Sequence, residues 1–266
     1  MTNRFAVMGN PIAHSLSPFI HQRFAEQMGI ELSYEKILIA NESLFEETVR
    51  DFFTQAGKGL NITLPFKQKA FAMAAIKTTR CNQAKAANTL WLDERSKLNA
   101  DNTDGIGLIR DLSTYGELAG KQVLLLGAGG AARGIIGPLL AAEIAQLVLV
   151  NRSEEKANSL QADFSQIKCS SLTELKTSFD LIINATSASL RSERMELPQL
   201  LLKSTTLCYD LAYSRTGPTT FVEWALLQGV QGIDGLGMLV EQAAEAFYIW
   251  HGLRPDTQAV LRELKR

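Results

Sequence analysis

Short, nearly unbroken apolar runs alternate along this chain with longer stretches whose apolar residues recur every three or four positions, a pattern of buried strands separated by amphipathic helices. It predicts a strand over 5–8 and a helix over 18–28, with Pro18 in its first turn and Ser17 as its cap. A strand over 32–39, a helix over 44–55, a strand near 60–63 and a helix over 66–76 continue the alternation, followed by a strand pair at 89–92 and 97–99. These elements form an α/β unit of their own.

The second half restarts the pattern. Val123-Leu124-Leu125-Leu126 runs directly into Gly127-Ala128-Gly129-Gly130-Ala131-Ala132, a helix follows over 131–143, and the buried strand Leu147-Val148-Leu149-Val150 completes a βαβ unit. Further strands are expected at 181–184 and 207–210. Helical stretches at 238–250 and 256–265 carry many apolar residues and should return to the first unit for burial. The expected fold is α/β with two domains: an N-terminal α/β substrate domain (1–104 plus 238–266) and a Rossmann-like, doubly wound parallel-sheet domain (105–237), with a cleft between them. Gly232, Gly235 and Gly237 stand near the crossing point, as a candidate hinge or as tight turns.

A strand turning through glycines into a helix reads either as a phosphate site or as a Gly-rich turn with no ligand, and the strand before it and the βαβ unit around it favour the first. Gly127 permits the tight turn, Gly129 admits a pyrophosphate close to the backbone, and small Ala132 lets the helix pack against its strand. The free N–H groups of the helix start supply anion affinity. An NAD site usually offers Asp or Glu after the second strand to hold the ribose 2′-hydroxyl, whereas here that strand runs into Asn151-Arg152-Ser153. Arg152 can fork onto a 2′-phosphate or stack on adenine, Ser153 can donate to the same group, and Lys156 adds charge one turn later. The cofactor predicted is therefore NADP.

Composition narrows the partners. The 266 residues are 46% hydrophobic and 21% charged, ordinary for a globular chain with room for two cores. Lys plus Arg is 27 and Asp plus Glu is 28, so a net charge of −1 gives no electrostatic case for nucleic acid or an anionic membrane. Small-molecule partners are expected, with the chain a monomer or homodimer. Cys81, Cys169 and Cys208 are scattered and fit no metal-ligand spacing, and His14, His21 and His251 add no ligand pair, so no metal is expected. The thiols read as reduced, in a cytoplasmic protein. The opening Met1-Thr2-Asn3-Arg4 leads into a strand rather than a signal-type apolar region, and no uncharged run approaches membrane-helix length.

Polar residues gather where first-domain strands should end. In His14-Ser15-Leu16-Ser17-Pro18 two hydroxyls sit at a helix start, suited to a carboxylate; plain capping by Ser17 accounts for only one of them. In Asn61-Ile62-Thr63-Leu64-Pro65-Phe66-Lys67 a strand delivers Asn61 and Thr63 to one face, and a lysine stands near a helix N-terminus, where it opposes the dipole by about 0.3–1 kcal/mol. Asn88-Thr89 and Asn102-Thr103-Asp104-Gly105 form the third cluster, in which Asp104 could equally cap the next helix.

In this order the motifs resemble the shikimate dehydrogenase family from end to end: Ser15-Leu16-Ser17-Pro18, Asn61 to Lys67, Ala87-Asn88-Thr89-Leu90, Asn102 to Gly105, the glycine loop, Asn151-Arg152-Ser153, Asn184-Ala185-Thr186-Ser187 and Asp234 to Val240. The resemblance implies reversible NADPH-dependent reduction of 3-dehydroshikimate to shikimate, on the route to aromatic amino acids. It implies Lys67 and Asp104 as the catalytic pair, and Ser15, Ser17, Thr63, Asn88, Asp104, Tyr213 and Gln242 as substrate contacts. Gly127, Ala128, Gly129, Gly130, Ala131, Asn151, Arg152, Ser153, Lys156, Thr186, Leu211, Gly235 and Met238 fall where the family touches its cofactor. Three positions depart from the family: Arg215 replaces the proline common two residues after the tyrosine, Ser189 replaces a glycine, and Thr79 replaces an acidic residue.

The chemistry agrees with the resemblance. Hydride addition to a ketone builds negative charge on oxygen, so the site needs a cationic proton donor within about 3 Å. Lys67 supplies it, and Asp104 would hold the ammonium and a ring hydroxyl, so the role is assigned to the pair and not to either residue alone. Two other readings share these residues: a quinate/shikimate dehydrogenase of broader range, and a non-enzymatic dinucleotide sensor, against which the intact Lys67 and Asp104 stand.

Overall fold

The computed structural model describes residues 3–191, 193 and 195–265, so Met1 and Thr2 of the opening segment lie outside the described residues. The chain divides into two compact units, Met1–Gly107 with Val240–Arg266, and Leu108–Leu239.

The first unit is built on one sheet of order β2-β1-β3-β5-β6-β4, formed by β1 (Asn3–Gly9), β2 (Leu32–Leu38), β3 (Gly57–Ile62), β4 (Ile76–Lys77), β5 (Thr89–Leu92) and β6 (Leu98–Asp101). β5 runs antiparallel to both its neighbours, and the other pairs are parallel. The helices in this part are α1 (Ser17–Met28), α2 (Phe45–Thr54), α3 (Lys67–Met73) and α4 (Thr79–Ala84). Ala6, Met8, Leu60, Ile62 and Leu90 of the sheet pack with Val49, Phe52 and Ala70 of the helices, and Phe45 stacks on Phe66 with ring centroids 4.8 Å apart. Each large apolar side chain buried in this way contributes about 1.5–3 kcal/mol.

α5 (Asp104–Ser113) leads into the second unit, whose sheet has the order β12-β11-β10-β7-β8-β9 with every pair parallel. Its strands are β7 (Gln122–Leu126), β8 (Gln146–Val150), β9 (Lys168–Ser170), β10 (Phe179–Asn184), β11 (Leu202–Asp210) and β12 (Gln231–Ile233), and its helices are α6 (Gly130–Ala141), α7 (Glu154–Asp163) and α8 (Thr220–Leu227). The chain moves outward from β7 to β9 and returns to β10 on the other side of β7, the doubly wound Rossmann order with its switch point between β7 and β10. α9 (Leu236–His251) and α10 (Thr257–Leu264) end the chain; from Val240 onward they belong to the first unit, where Phe247 packs edge-on to Phe24 and Arg23 pairs with Glu263 at 2.9 Å.

Several local expectations are corrected. The helix expected over 66–76 ends at Met73, because Ala74 turns extended (φ −70°, ψ 133°), Ala75 N–H donates to Leu98, and Ile76–Lys77 pairs with Asn99 and Ala100 of β6. Sheet pairing here overrides two alanines that favour helix. Ser17 does not cap α1: it is the first helical residue, and the cap position falls on Leu16 with no side-chain bond. Gly232, Gly235 and Gly237 are not positive-φ turns; a Cβ at Gly235 would strike the Leu211 carbonyl and one at Gly237 the Asp111 carboxylate, so close packing requires them. The buried Cys81 and Cys208 thiols are each pushed up to about 12 by burial, which keeps them protonated.

His21, fully buried on α1, stacks on Tyr34 with centroids 4.4 Å apart, and burial together with nearby His251 pushes its pKa down to about 3. The folded ring stays neutral while the unfolded chain takes up a proton below about pH 6.5. Stability is therefore whole above that pH and falls toward pH 3, by up to about 1.4 kcal/mol per pH unit. His21→Phe should flatten the fall of melting temperature between about pH 6.5 and 4.5, whereas an unchanged slope would remove His21 as its source.

Candidate active site

The topology gathers the polar clusters at one end of the strands of the first sheet. β3 ends at Ile62, and antiparallel β5 starts opposite that end, with Asn61 facing Thr89; β6 ends where Asp101 faces Thr89. The segments after β3, before β5 and after β6 therefore meet. Backbone bonds fix them: Ala87 N–H donates to the Lys67 carbonyl (2.8 Å), Asn88 N–H to Asp101 (3.0 Å) and Ile62 N–H to Asn88 (2.8 Å).

Lys67, the first residue of α3, places Nζ 2.6 Å from Oδ2 of Asp104, the first residue of α5. The Asp104 side chain is only 9% exposed and that of Lys67 21%. The other carboxylate oxygen of Asp104 accepts from Asn88 Nδ2 at 2.8 Å. The same Asn88 nitrogen reaches Thr103 Oγ1 (2.9 Å) and Gln242 Oε1 (3.2 Å), while Asn88 Oδ1 accepts the Thr103 N–H at 2.8 Å. Asp104 is thus not a cap for α5: its carboxylate serves Lys67 and Asn88, and its own N–H is taken by Asn102 Oδ1. Ion pairs so little exposed hold only when the remaining lone pairs are satisfied, which is what Asn88 does.

Ser15 and Ser17 stand beyond β1 as a hydroxyl pair 3.2 Å apart, with Ser15 Oγ also accepting the Ser17 N–H. Thr63 follows β3 directly, half-buried, and Gln242 lies on α9. Tyr213 belongs to the second unit, three residues past β11, where burial raises its phenol. Sequence reasoning missed Tyr34, whose hydroxyl donates to Asn61 Oδ1 at 2.6 Å while Asn61 Nδ2 donates to the Asn88 carbonyl at 3.1 Å. A tyrosine in the middle of β2 carries no signal that its partner lies on β3.

The expected cofactor residues all lie in the second unit, and those that follow strands stand at the carboxyl ends of β7, β8, β10 and β11. Gly127 has φ +104°, a conformation that favours glycine, and its N–H donates to Val150. Gly129 caps α6 with ordinary dihedrals (φ −84°, ψ −175°), Gly130 opens the helix, and a Cβ on either would meet nothing within 4 Å. Local packing and positive-φ strain thus do not ask for glycine at these two positions, and at Gly130, within the helix, glycine costs up to about 1 kcal/mol. Open space beside the first-turn N–H groups of α6 suits a pyrophosphate. Asn151 braces the loop by accepting from Ala128 N–H (3.1 Å), and Ser153 caps α7 by accepting Lys156 N–H, which leaves the hydroxyl proton available. Arg152 and Lys156 are exposed beside it.

Thr186 follows β10, anchored through Oγ1 to Asn184 Oδ1 (2.7 Å), and Leu211 follows β11. Gly235 and Met238 are buried at the start of α9. Buried Asp210 ties these segments together, accepting from Asn184, Thr219, the Ala212 N–H and Ser189, the last at 2.5 Å. Burial nevertheless raises its pKa. Ser189, the departure from the family glycine, is therefore a donor to a buried carboxylate.

Known proteins are similar to this chain along its length. Residues 7–90 match the shikimate dehydrogenase substrate binding domain, 111–216 the shikimate / quinate 5-dehydrogenase model, and 235–265 the shikimate 5′-dehydrogenase C-terminal domain. A shikimate dehydrogenase (NADP(+)) of Legionella pneumophila (strain Lens) is 57% identical over 265 residues, covering 100% of this chain and 99% of the relative. The chain belongs to the shikimate dehydrogenase family. Among solved structures, an Ael1 enzyme from Pseudomonas putida superposes with a TM-score of 0.92 at 44% identity, covering 100% of this chain and 99% of that one. The shikimate 5-dehydrogenase of Thermus thermophilus, in complex with NADP(H) and shikimate, gives 0.90 at 32% identity with the same coverage.

The glycine geometry generates a test in which stability and binding move in opposite directions. Gly130→Ala should raise folding stability by about 0.5–1 kcal/mol and weaken binding of an NADPH probe at least about tenfold by fluorescence titration. Unchanged NADPH affinity would show that the open space serves no phosphate.

Proposed function

We propose that this chain catalyses the reversible NADPH-dependent reduction of 3-dehydroshikimate to shikimate, a step toward aromatic amino acids. The observation that carries the reading is the Lys67–Asp104 contact, an ammonium 2.6 Å from a carboxylate whose second oxygen is held by Asn88. Bound NADPH supplies the hydride that reaches the ring ketone carbon. Lys67 stabilises the negative charge that builds on the carbonyl oxygen, and the proton this oxygen gains leaves the Lys67–Asp104 pair, which regains one from solvent. Asp104 and Asn88 orient a ring hydroxyl, with Gln242 and Thr63 completing the polar frame. Ser15 and Ser17 present two hydroxyls to the ring carboxylate, and Tyr213 is read as a further substrate contact.

The reading assigns Met1–Gly107 with Val240–Arg266 to the substrate and Leu108–Leu239 to the cofactor. Gly127, Ala128, Gly129, Gly130 and Ala131 hold the pyrophosphate. Arg152, Ser153 and Lys156 take the 2′-phosphate, braced by Asn151, while Thr186, Leu211, Gly235 and Met238 support the nicotinamide side. No helix among the described residues is long and apolar enough to cross a membrane, and no cluster there could hold a metal ion. With its free thiols, the chain is read as cytoplasmic, a monomer or homodimer acting on small molecules. A second reading, activity on quinate as well, is favoured by the match of 111–216 to a model that covers both activities.

Shikimate-dependent NADP⁺ reduction, run beside quinate and NAD⁺, tests both readings: turnover of shikimate with NADP⁺ is expected, and NADPH binding without turnover of any cyclic hydroxy acid would overturn the enzyme. Lys67→Ala should lower turnover at least about 10²-fold with NADPH affinity nearly intact. Near-parental turnover in that variant would take Lys67 out of the mechanism.

A further inference from the structure

Asp101, the last residue of β6, stands three positions ahead of Asp104 with a side chain only 3% exposed. Its carboxylate is saturated: Oδ1 accepts from Asn102 N–H (2.7 Å), Thr78 Oγ1 (2.5 Å) and Arg80 Nε (2.8 Å), and Oδ2 accepts from the Arg80 Nη2 at 2.6 Å. The guanidinium therefore forks onto both carboxylate oxygens, a geometry lysine cannot reproduce. The same Arg80 nitrogen also reaches Glu245 Oε1 at 2.9 Å, and the second oxygen of Glu245 pairs with Arg254 at 3.0 Å. Glu245 lies on α9 three residues after Gln242 and, like Asp101, is deeply buried, with a side chain 8% exposed.

One arginine thus touches two arms of the substrate site at once. Through Asp101 it reaches the 101–104 turn, whose backbone binds Asn88 and whose end is Asp104; through Glu245 it reaches the helical turn that carries Gln242, the acceptor for Asn88 and Thr103. Thr78 locks the arrangement by capping α4, the helix of Arg80, while its hydroxyl donates to Asp101.

We infer that Arg80 is a positioning residue that clamps the Asp101–Asp104 turn and the Gln242 turn of α9 into one frame, so that the proton-transferring pair and the hydroxyl-reading amides keep their mutual geometry. It rests on the proposed dehydrogenase activity but acts through residues that meet the ring, not by meeting it. Its two arms have separable effects. Loosening the Asp101 arm misplaces Asp104 against Lys67 and strikes turnover, whereas loosening the Glu245 arm shifts Gln242 and strikes shikimate affinity.

Arg80→Lys, which keeps the charge and loses the fork, should lower kcat for shikimate oxidation at least about tenfold and displace the pH profile of kcat, with the KM for NADP⁺ held within about twofold. Asp101→Asn, which turns an amide NH2 toward donors and removes the charge facing Arg80, should give the same signature. Glu245→Gln should instead raise the shikimate KM at least about threefold with kcat within about twofold of the parent. Amide hydrogen exchange reads the clamp without activity: in Arg80→Lys the amides of 102–104 should exchange at least about tenfold faster while those of β1 stay unchanged. Parental kcat, pH profile and exchange in Arg80→Lys would overturn the inference, as would a KM for NADP⁺ that rises in step with the loss of kcat. A parent enzyme that never oxidises shikimate would sink the proposed activity instead, and the exchange result would then decide the clamp alone.

Discussion

A lysine ammonium held 2.6 Å from a nearly buried carboxylate is the contact around which the first unit is arranged. Taking both charges out of water costs several kcal/mol per ion unless every lone pair is used, and a lysine at a helix start works against the helix dipole as well. Folding stability alone does not ask for such a pair. The structure tolerates it because three segments, after β3, before β5 and after β6, are stitched by backbone hydrogen bonds before any side chain is counted, and because Asn88 fills the second oxygen of Asp104. The reversed strand β5 makes this possible, since it brings its own beginning to the level where its neighbours end.

The second unit solves a different problem with similar means. In its continuous parallel sheet the connections leave in opposite directions at the switch point between β7 and β10, where a glycine turn is fixed by Val150 and Asn151 on one side and Asn184 anchors Thr186 on the other. A Cβ on Gly129 or Gly130 would meet nothing within 4 Å among the described residues, and glycine at the helical position 130 comes at a cost in helix stability. Asp210 carries four donors yet stays a costly buried carboxylate, and its bonds join the ends of β10 and β11. In both units local stability is given up where chemistry needs open space or charge, and surrounding hydrogen bonds compensate.

Much of this was legible in the residues. The run Val123 to Leu126 into Gly127 announces a strand, a turn and a helix because each residue obeys a local rule, and Asn151-Arg152-Ser153 follows its strand where a carboxylate would otherwise stand. The paired serines near Ser15 and the lysine at 67 stood out as polar groups that plain structure only partly explains, whereas Asp104 could equally have been a helix cap. What escaped depends on distant partners. Ala74 and Ala75 favour helix, and only pairing with β6 turns them into the approach to a strand. Tyr34, Arg80 and Glu245 look like ordinary surface residues in sequence, and their roles appear only when Asn61 and Asp101 come beside them. Ser17 had the right chemistry for a cap and lies one position too late to be one.

The central claim is that Lys67 and Asp104 act as one proton-handling unit, and a double-mutant cycle on turnover tests it most directly. Turnover of shikimate with NADP⁺ is measured for the parent, Lys67→Met, Asp104→Asn and the double variant. The double variant should fall within about threefold of the worse single one, because either change already dissolves the unit. Losses that multiply across the two positions would mean that the residues act independently, and would contradict that claim.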